Sequence, residues 1–561
     1  MVDSNNATEY GTVGLASADC EMAACCPAND KESRHDNNKD GDNEAVWEPT
    51  GVHWRDFLHF AGPGWLVSIA YVDPGNYQSD ILSAASARYR LLFAVWWTSI
   101  LSIYVQVLCV RLAYHGNMNL AQAQAMVTTH YIGGKKRSWH RYLNWFLAEF
   151  STVITDLPEV IGIGIACNLF FGWPYYIGVI LSLFTTMSFL AMQRYGIRVL
   201  EWLIFAFVAI MGVALWIEVM HVGVNQRELF AGWIYGFVKV QRSDIFAIAG
   251  VLGSVVMPHN LYLHSSVCQS RRVRPQDSSL AVKYGSYEPI FPIVMSFFVN
   301  LAIVAIASES FSDATNGMLG TVGLTTFGSY LKHGSYLFGI ALLAAGQSSA
   351  ITTTFTGQYV MDGFLHIRLP MHWRAIVTRL IAITPCVLVS IFMPHQLNQL
   401  VNLVNATLSI LLPFAFTPLV KYNCSPEIMG PTKASRGWER VLLYSFALSV
   451  WAINAITLSV NGGGFFGNWR HNMPASPRKT ALVVVEVCCQ LFYAWWNLDC
   501  VLAPVDTTAT SCIGKTTSSI QDSPEHKLLL RNDNVKDDDF QATKSETSSS
   551  DGDDEPERQI V

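Results

Sequence analysis

Polar residues gather at the two ends of the chain and in short intervals between long apolar runs. Runs long enough to cross a bilayer, about 20 residues for a helix, lie at 57–86, 92–114, 143–170, 172–193, 197–221, 244–268, 287–308, 335–360, 374–394, 396–421, 438–460 and 480–502. Runs of this length are predicted as helices, because a helix satisfies its own backbone groups in hydrocarbon. Twelve such spans predict an all-α polytopic membrane protein. Its core is expected over 51–502, between polar tails at 1–50 and 503–561. The tails hold too little apolar surface to offset chain entropy and are predicted to be disordered.

Composition agrees with this pattern. The chain is 51% hydrophobic and only 14% charged, against roughly 25% charged in soluble domains. Residues 1–50 carry 11 acidic and 3 basic side chains and residues 503–561 carry 13 and 6, which leaves the core at +9. Lys and Arg in the loops divide 16 to 9 in favour of the side that carries both termini, so both tails are expected in the cytosol. No dense basic stripe remains for a nucleic acid. The 12 cysteines show no zinc spacing, and no His-Glu-x-x-His or nucleophile–base pair appears, so neither a cofactor nor an enzyme is expected. Residues 1–46 lack the apolar run of a cleavable signal. In the second tail, 525–530 resembles an acidic di-leucine signal for sorting adaptors, and reads equally well as ordinary polar tail.

Two interruptions inside the apolar runs carry the chemistry. The first is Val72-Asp73-Pro74-Gly75-Asn76 in span 1 and the second is Val256-Met257-Pro258-His259-Asn260 in span 6. Proline lacks a backbone N–H and clashes with the carbonyl four residues earlier. Pro74 therefore frees the carbonyl of Ala70, and Pro258 that of Ser254. A freed carbonyl in lipid needs another donor or a cation, and a buried Asp usually marks a functional path. If the breaks face each other, Asp73, Asn76, Met257 and the two carbonyls form a cation site. The thioether adds little for Ca2+ or Mg2+ and points to Mn2+, Fe2+, Co2+ or Cd2+. The breaks are five spans apart, so the second block of five is inverted relative to the first, as in transporters with a midplane site between discontinuous helices.

At these residues the chain resembles the Nramp family of proton-coupled divalent transition-metal transporters, over about 51–502. The resemblance is carried by Asp73-Pro74-Gly75-Asn76, by Met257-Pro258-His259, by Thr155-Asp156-Leu157-Pro158-Glu159 in span 3, and by 346–365 in span 8, which opens Gly346-Gln347-Ser348. It implies a LeuT-like inverted repeat of spans 1–5 and 6–10, two further spans, and alternating access by a single chain. It implies Asp73, Asn76 and Met257 as metal-binding side chains and Ala70 and Ser254 as carbonyl donors. Asn405 falls where members carry an amide near the metal. Ser254 departs from the usual Ala, which matters little when the backbone oxygen is the ligand. The substrates implied are Mn2+ or Fe2+ and H+, crossing a plasma membrane or an endosomal, lysosomal or vacuolar one.

Span 3 also suggests a proton path. Asp156 and Glu159 are three residues apart and share a helix face; Glu149 lies two turns before Asp156 on the same face. Arg374 and Arg379 in span 9 are candidate counter-charges. Burial favours a neutral carboxyl and a nearby guanidinium an ionised one, and the sequence leaves the balance open. The resemblance adds His259 to this path. A sodium-coupled amino-acid transporter shares the inverted-repeat plan, but Asp73 would repel a substrate carboxylate. A membrane-embedded sensor would need a folded signalling domain, which neither tail suggests.

Overall fold

The computed structural model describes residues 47, 49, 53–60, 71–127, 131–132, 135–136, 138–192, 197–271, 273–311, 322–331, 335–367, 370–459 and 477–503. Ala70, nearly all of both predicted tails and the 525–530 segment lie outside them. Span 1 contributes α1 (His53–Phe60) and α2 (Pro74–Ala87). Then follow α3 (Leu92–His115), a short α4 (Leu120–Val127), α5 (Ser138–Phe171), α6 (Tyr175–Met192) and α7 (Ile197–Val222). A lateral helix α8 (Gln226–Tyr235) precedes the second block. That block comprises α9 (Ile245–Val255), α10 (Pro258–Ser270), α11 (Ser278–Tyr287), α12 (Ile290–Ser310), α13 (Leu324–Tyr330), α14 (Ser335–Leu365), α15 (Met371–Phe392) and α16 (Leu397–Cys424). The last two are α17 (Trp438–Ser459) and α18 (Pro477–Leu502). A two-residue antiparallel pair, 131–132 with 135–136, lies between α4 and α5.

Helix thus occupies part of each of the twelve predicted stretches, in the order of a LeuT-like inverted repeat with two further helices. Nine helical stretches among the described residues are long and apolar enough to cross a membrane. The difference from twelve has three sources. α2 runs on into α3 as one stretch, Pro74–His115. Span 4 is a shorter apolar helix, Tyr175–Ser188. Span 5 ends in a bend of 118° to the lateral helix and passes only together with it.

Burial separates the helices that hold the site from those that face lipid. The most apolar windows around α9–α10, α14 and α16 are each 83% buried, against 33% for α17 and 22% for α18. A helix apolar on every side belongs inside a bundle; the outer two expose Leu448, Ile456, Val487 and Leu491 instead. In lipid, helices associate by close packing and interhelical hydrogen bonds. The outer pair is fastened to α16 in this way: Ser409 Oγ donates to Asn454 Oδ1 at 2.7 Å and Thr417 Oγ1 to Asn497 Oδ1 at 3.0 Å.

Candidate metal site and its surroundings

Both prolines start helices; neither kinks a continuous one. Pro74 and Pro258 each occupy the first turn of a new helix, where the missing N–H costs nothing. Ahead of Pro74, Asp73 is an extended N-cap whose Oδ1 accepts the Asn76 N–H at 2.6 Å. Ahead of Pro258, Met257 holds the same position with φ −75° and ψ 131° and has no capping bond. The arm before it ends at Val255, and the Val256 N–H still reaches the Leu252 carbonyl at 2.9 Å. Proline 258 then offers no N–H to the carbonyl of Ser254. The Ser254 hydroxyl is turned back onto the Val251 carbonyl at 3.2 Å, so serine in place of alanine leaves that carbonyl unobstructed.

The first break aims its donors. Asn76 Nδ2 donates to the Tyr71 carbonyl at 2.8 Å, and Ser296 Oγ holds the same carbonyl at 2.6 Å. The amide is therefore fixed with its oxygen free: Asn76 Oδ1 is buried without a hydrogen-bond partner. A buried, unsatisfied amide oxygen is costly unless something else takes it. Asp73 and Met257 are each 1% exposed. One carboxylate, one amide oxygen, one thioether and a proline-freed carbonyl suit a cation of intermediate softness. No group of three or more His, Cys, Asp or Glu that would hold a metal occurs among the described residues.

Asn405 joins the two breaks. Its Nδ2 donates to the Gly75 carbonyl and to Ser79 Oγ, both at 2.8 Å. A Cβ on Gly75 would lie 3.1 Å from Asn405 Oδ1 and 3.4 Å from Asp73 Oδ1, so amide and carboxylate flank the same glycine. The backbone of Asn405 presses on the other break: a Cβ on Gly253 would sit 2.0 Å from its carbonyl oxygen. Behind the first break, Gly162 of α5 leaves room for the Pro74 ring, which a Cβ would meet at 2.6 Å.

The predicted proton-path residues lie on α5 and its neighbours. Arg379 Nη2 donates to Glu159 Oε2 at 3.1 Å, with both side chains fully buried. Arg374 pairs with Glu149. Among the described residues no arginine lies within ion-pair distance of Asp156; it takes the Thr353 hydroxyl at 2.5 Å and hydrogen-bonds Glu159, and Glu159 also takes the hydroxyl of Ser349. His259 reaches this helix through Thr155, at 3.3 Å from Nδ1. Gly346 packs on the Glu159 carbonyl, and Gln347 donates to Thr185 at 2.6 Å. The Ser348 hydroxyl is buried without a partner. Among the described residues the span 8 motif thus backs α5 and makes no hydrogen bond to the metal-site side chains.

Sequence reasoning missed four groups. The hydroxyls of Ser349 and Thr353 stood inside a quoted motif, and their i, i+4 spacing against carboxylates at i, i+3 was the available signal. Tyr71, whose carbonyl sets the Asn76 amide, gave none. Nor did Gln78, which receives the Leu324 N–H at 2.8 Å and donates to Asn402 Oδ1 at 3.0 Å, tying α2 to α13 and α16.

A family model described as "Natural resistance-associated macrophage protein-like" matches residues 64–459. The metal transporter Nramp6.1 of Populus trichocarpa is 35% identical over 427 residues, covering 74% of this chain and 75% of the poplar protein. The divalent metal cation transporter MntH of a Nostoc species is 34% identical over 410 residues, covering 72% and 91%. Among solved structures, the Eremococcus coleocola manganese transporter, crystallised with an aromatic bis-isothiourea compound, aligns with a TM-score of 0.69 at 26% identity, covering 82% of this chain and 98% of that one.

Proposed function

The chain belongs to the Nramp family, and from that premise we propose that this integral membrane metal transporter carries Mn2+ and Fe2+, and also Co2+ and Cd2+, into the cytosol together with protons by alternating access. Asp73, Asn76, Met257 and the carbonyls of Ala70 and Ser254 bind the metal, with Asn405 beside them. Glu149, Asp156, Glu159 and His259 pass protons, with Arg374 and Arg379 as their counter-charges. Both termini face the cytosol, twelve spans cross the membrane, and one chain suffices.

The observation that carries this reading is the unpartnered Asn76 oxygen beside the Asp73 carboxylate at a helix restart. Its support is threefold. The donor set is too soft for Mg2+ or Ca2+. One relative bears the name of a divalent metal cation transporter and a structural neighbour that of a manganese transporter. The buried carboxylates on α5 stand where a proton can be held out of water. An amino-acid substrate would set its carboxylate against Asp73.

The test is uptake of Mn2+ and Ca2+ into proteoliposomes, with and without an inward proton gradient, by wild type and Met257→Ala. Acid-stimulated Mn2+ uptake, exclusion of Ca2+ by wild type and admission of Ca2+ by the variant are expected. A wild type that moves neither metal under any gradient overturns the proposal.

A further inference from the structure

The proton path contains a hydroxyl with two acceptors and one hydrogen. Thr353 Oγ1 lies 2.5 Å from Asp156 Oδ1 and 3.0 Å from the carbonyl oxygen of Ala350, one turn back on its own helix, which Thr354 shares. A threonine hydroxyl donates once and accepts through two lone pairs. Both ends of the contact are buried, Thr353 and Asp156 each at 2% exposure, so water does not make up for a lost bond. The two placements of the one hydrogen match the two protonation states of the carboxyl.

With Asp156 ionised, the Thr353 hydrogen points at Oδ1. When a proton adds to Oδ1, one O–H bond forms and no other covalent bond changes. That new O–H donates to Thr353 Oγ1, and the threonine hydrogen rotates to the Ala350 carbonyl. On release the proton passes to the neighbouring Glu159 carboxylate, with which Asp156 is hydrogen-bonded, and the hydroxyl rotates back. We propose that Thr353 is a positioning residue of the proton path: it keeps Asp156 hydrogen-bonded in both protonation states, so that the carboxyl loads and unloads without leaving an orphaned polar group in the bundle. The same acidic helix face is served one turn earlier on α14 by Ser349, which donates to Glu159.

Other charges around this pair are accounted for. From α5 itself comes Glu159, and Glu149 two turns away, the latter held by Arg374. From α15 come the guanidiniums of Arg379 and Arg374, both of which act on Asp156, and the thiol of Cys386, which faces the same carboxyl. From α2, Asp73 acts on Glu159. From α10, His259 touches the adjacent Thr155. Of these, Glu159 also hydrogen-bonds the Asp156 carboxyl, so the two carboxyls touch, while Thr353 supplies the hydroxyl at Oδ1.

This inference rests on the proton coupling proposed above. Mn2+ uptake by proteoliposomes is measured across external pH for wild type, Thr353→Val, Thr353→Ser and Thr353→Ala, with proton entry followed by a trapped pH dye and Mn2+ binding by calorimetry. Valine keeps the shape and removes the hydroxyl. A hydrogen bond to an ionised partner is stronger than one to a neutral partner, so its loss favours the proton-loaded carboxyl. The expected result for valine is unchanged Mn2+ binding and a pH profile displaced to higher pH by about half a unit to one unit. Serine restores the wild-type profile and alanine follows valine. A valine profile that superimposes on wild type, or serine behaving like valine, overturns the proposal. If valine fails to bind Mn2+, the alanine and serine pair decides by the same comparison. A wild type that takes up Mn2+ with no pH dependence and no proton entry removes the coupling itself, and this proposal with it.

Discussion

Asn76 shows how a proposed ligand atom is chosen by its neighbours. The amide has an oxygen and a nitrogen to offer, and the Tyr71 carbonyl claims the nitrogen. Ser296 fixes that carbonyl in turn. A substitution at either residue that keeps the side chain but frees the amide to turn is therefore felt at the site. The direct test is Asp73→Ala, which removes the full charge: Mn2+ uptake is lost while the protein still reaches the membrane. Asn405→Ala removes two bonds to the first break and its amide oxygen, and the KM for Mn2+ rises about tenfold, the equivalent of one charge-assisted hydrogen bond. Legibility at this scale followed chain distance. Asp73, Pro74, Met257 and Pro258 announce themselves within four or five residues. Asn405 is 330 positions from the carbonyl it holds, and only its family resemblance brought it forward. Gln78 depends wholly on which helix packs beside it and nothing local marks it; Thr353 had only its spacing from Ser349 within the span 8 motif.

Among elements, α5, α14 and α15 form one unit. Glu159 and Arg379 are a fully buried pair, and removing one partner leaves a charge stranded in the bundle at a cost of about 3–5 kcal/mol. Arg379→Met is expected to lower the unfolding temperature in detergent markedly. Adding Glu159→Leu recovers most of that loss but not transport, and a double variant no more stable than the single one would show that the pair is not the cause. The α9–α16 contact is as close: Gly253→Ala places a methyl group 2.0 Å from the Asn405 carbonyl oxygen. Backbone on both sides leaves little room to give, so both stability and uptake fall. The helices themselves were readable because apolar length alone predicts them. The run from α2 into α3 and the bend after α7 are set by packing and by backbone bonds, and the apolar pattern smooths over them; the restarts at Pro74 and Pro258 were legible from the proline motifs themselves.

Taking the molecule whole, tertiary ties fasten the two helical blocks at both ends of the proposed path. Gln78 and Asn398 fasten α13 across one end, the latter donating to Thr325 Oγ1 at 2.8 Å. At the other end Arg271 binds the Phe60 carbonyl at 2.8 Å and Glu288 at 3.2 Å, tying α1 to the second block. Alternating access requires that one set release while the other holds. Gln78→Leu removes two bonds of the first set and is expected to raise severalfold the rate at which an impermeant thiol reagent labels a cysteine placed at Ser79 from that side. The proposed ligand set has one further consequence. It carries a single full negative charge, that of Asp73, against the two positive charges of its cargo. The loaded carrier is left with one uncancelled positive charge, and a membrane voltage does about 2.3 kcal/mol of work on it per 100 mV. On this proposed ligand set an interior-negative voltage favours the inward step of the loaded carrier before any proton moves, and the number of carboxylates at one helix break sets how the cargo's two charges are shared between the loaded step and the return.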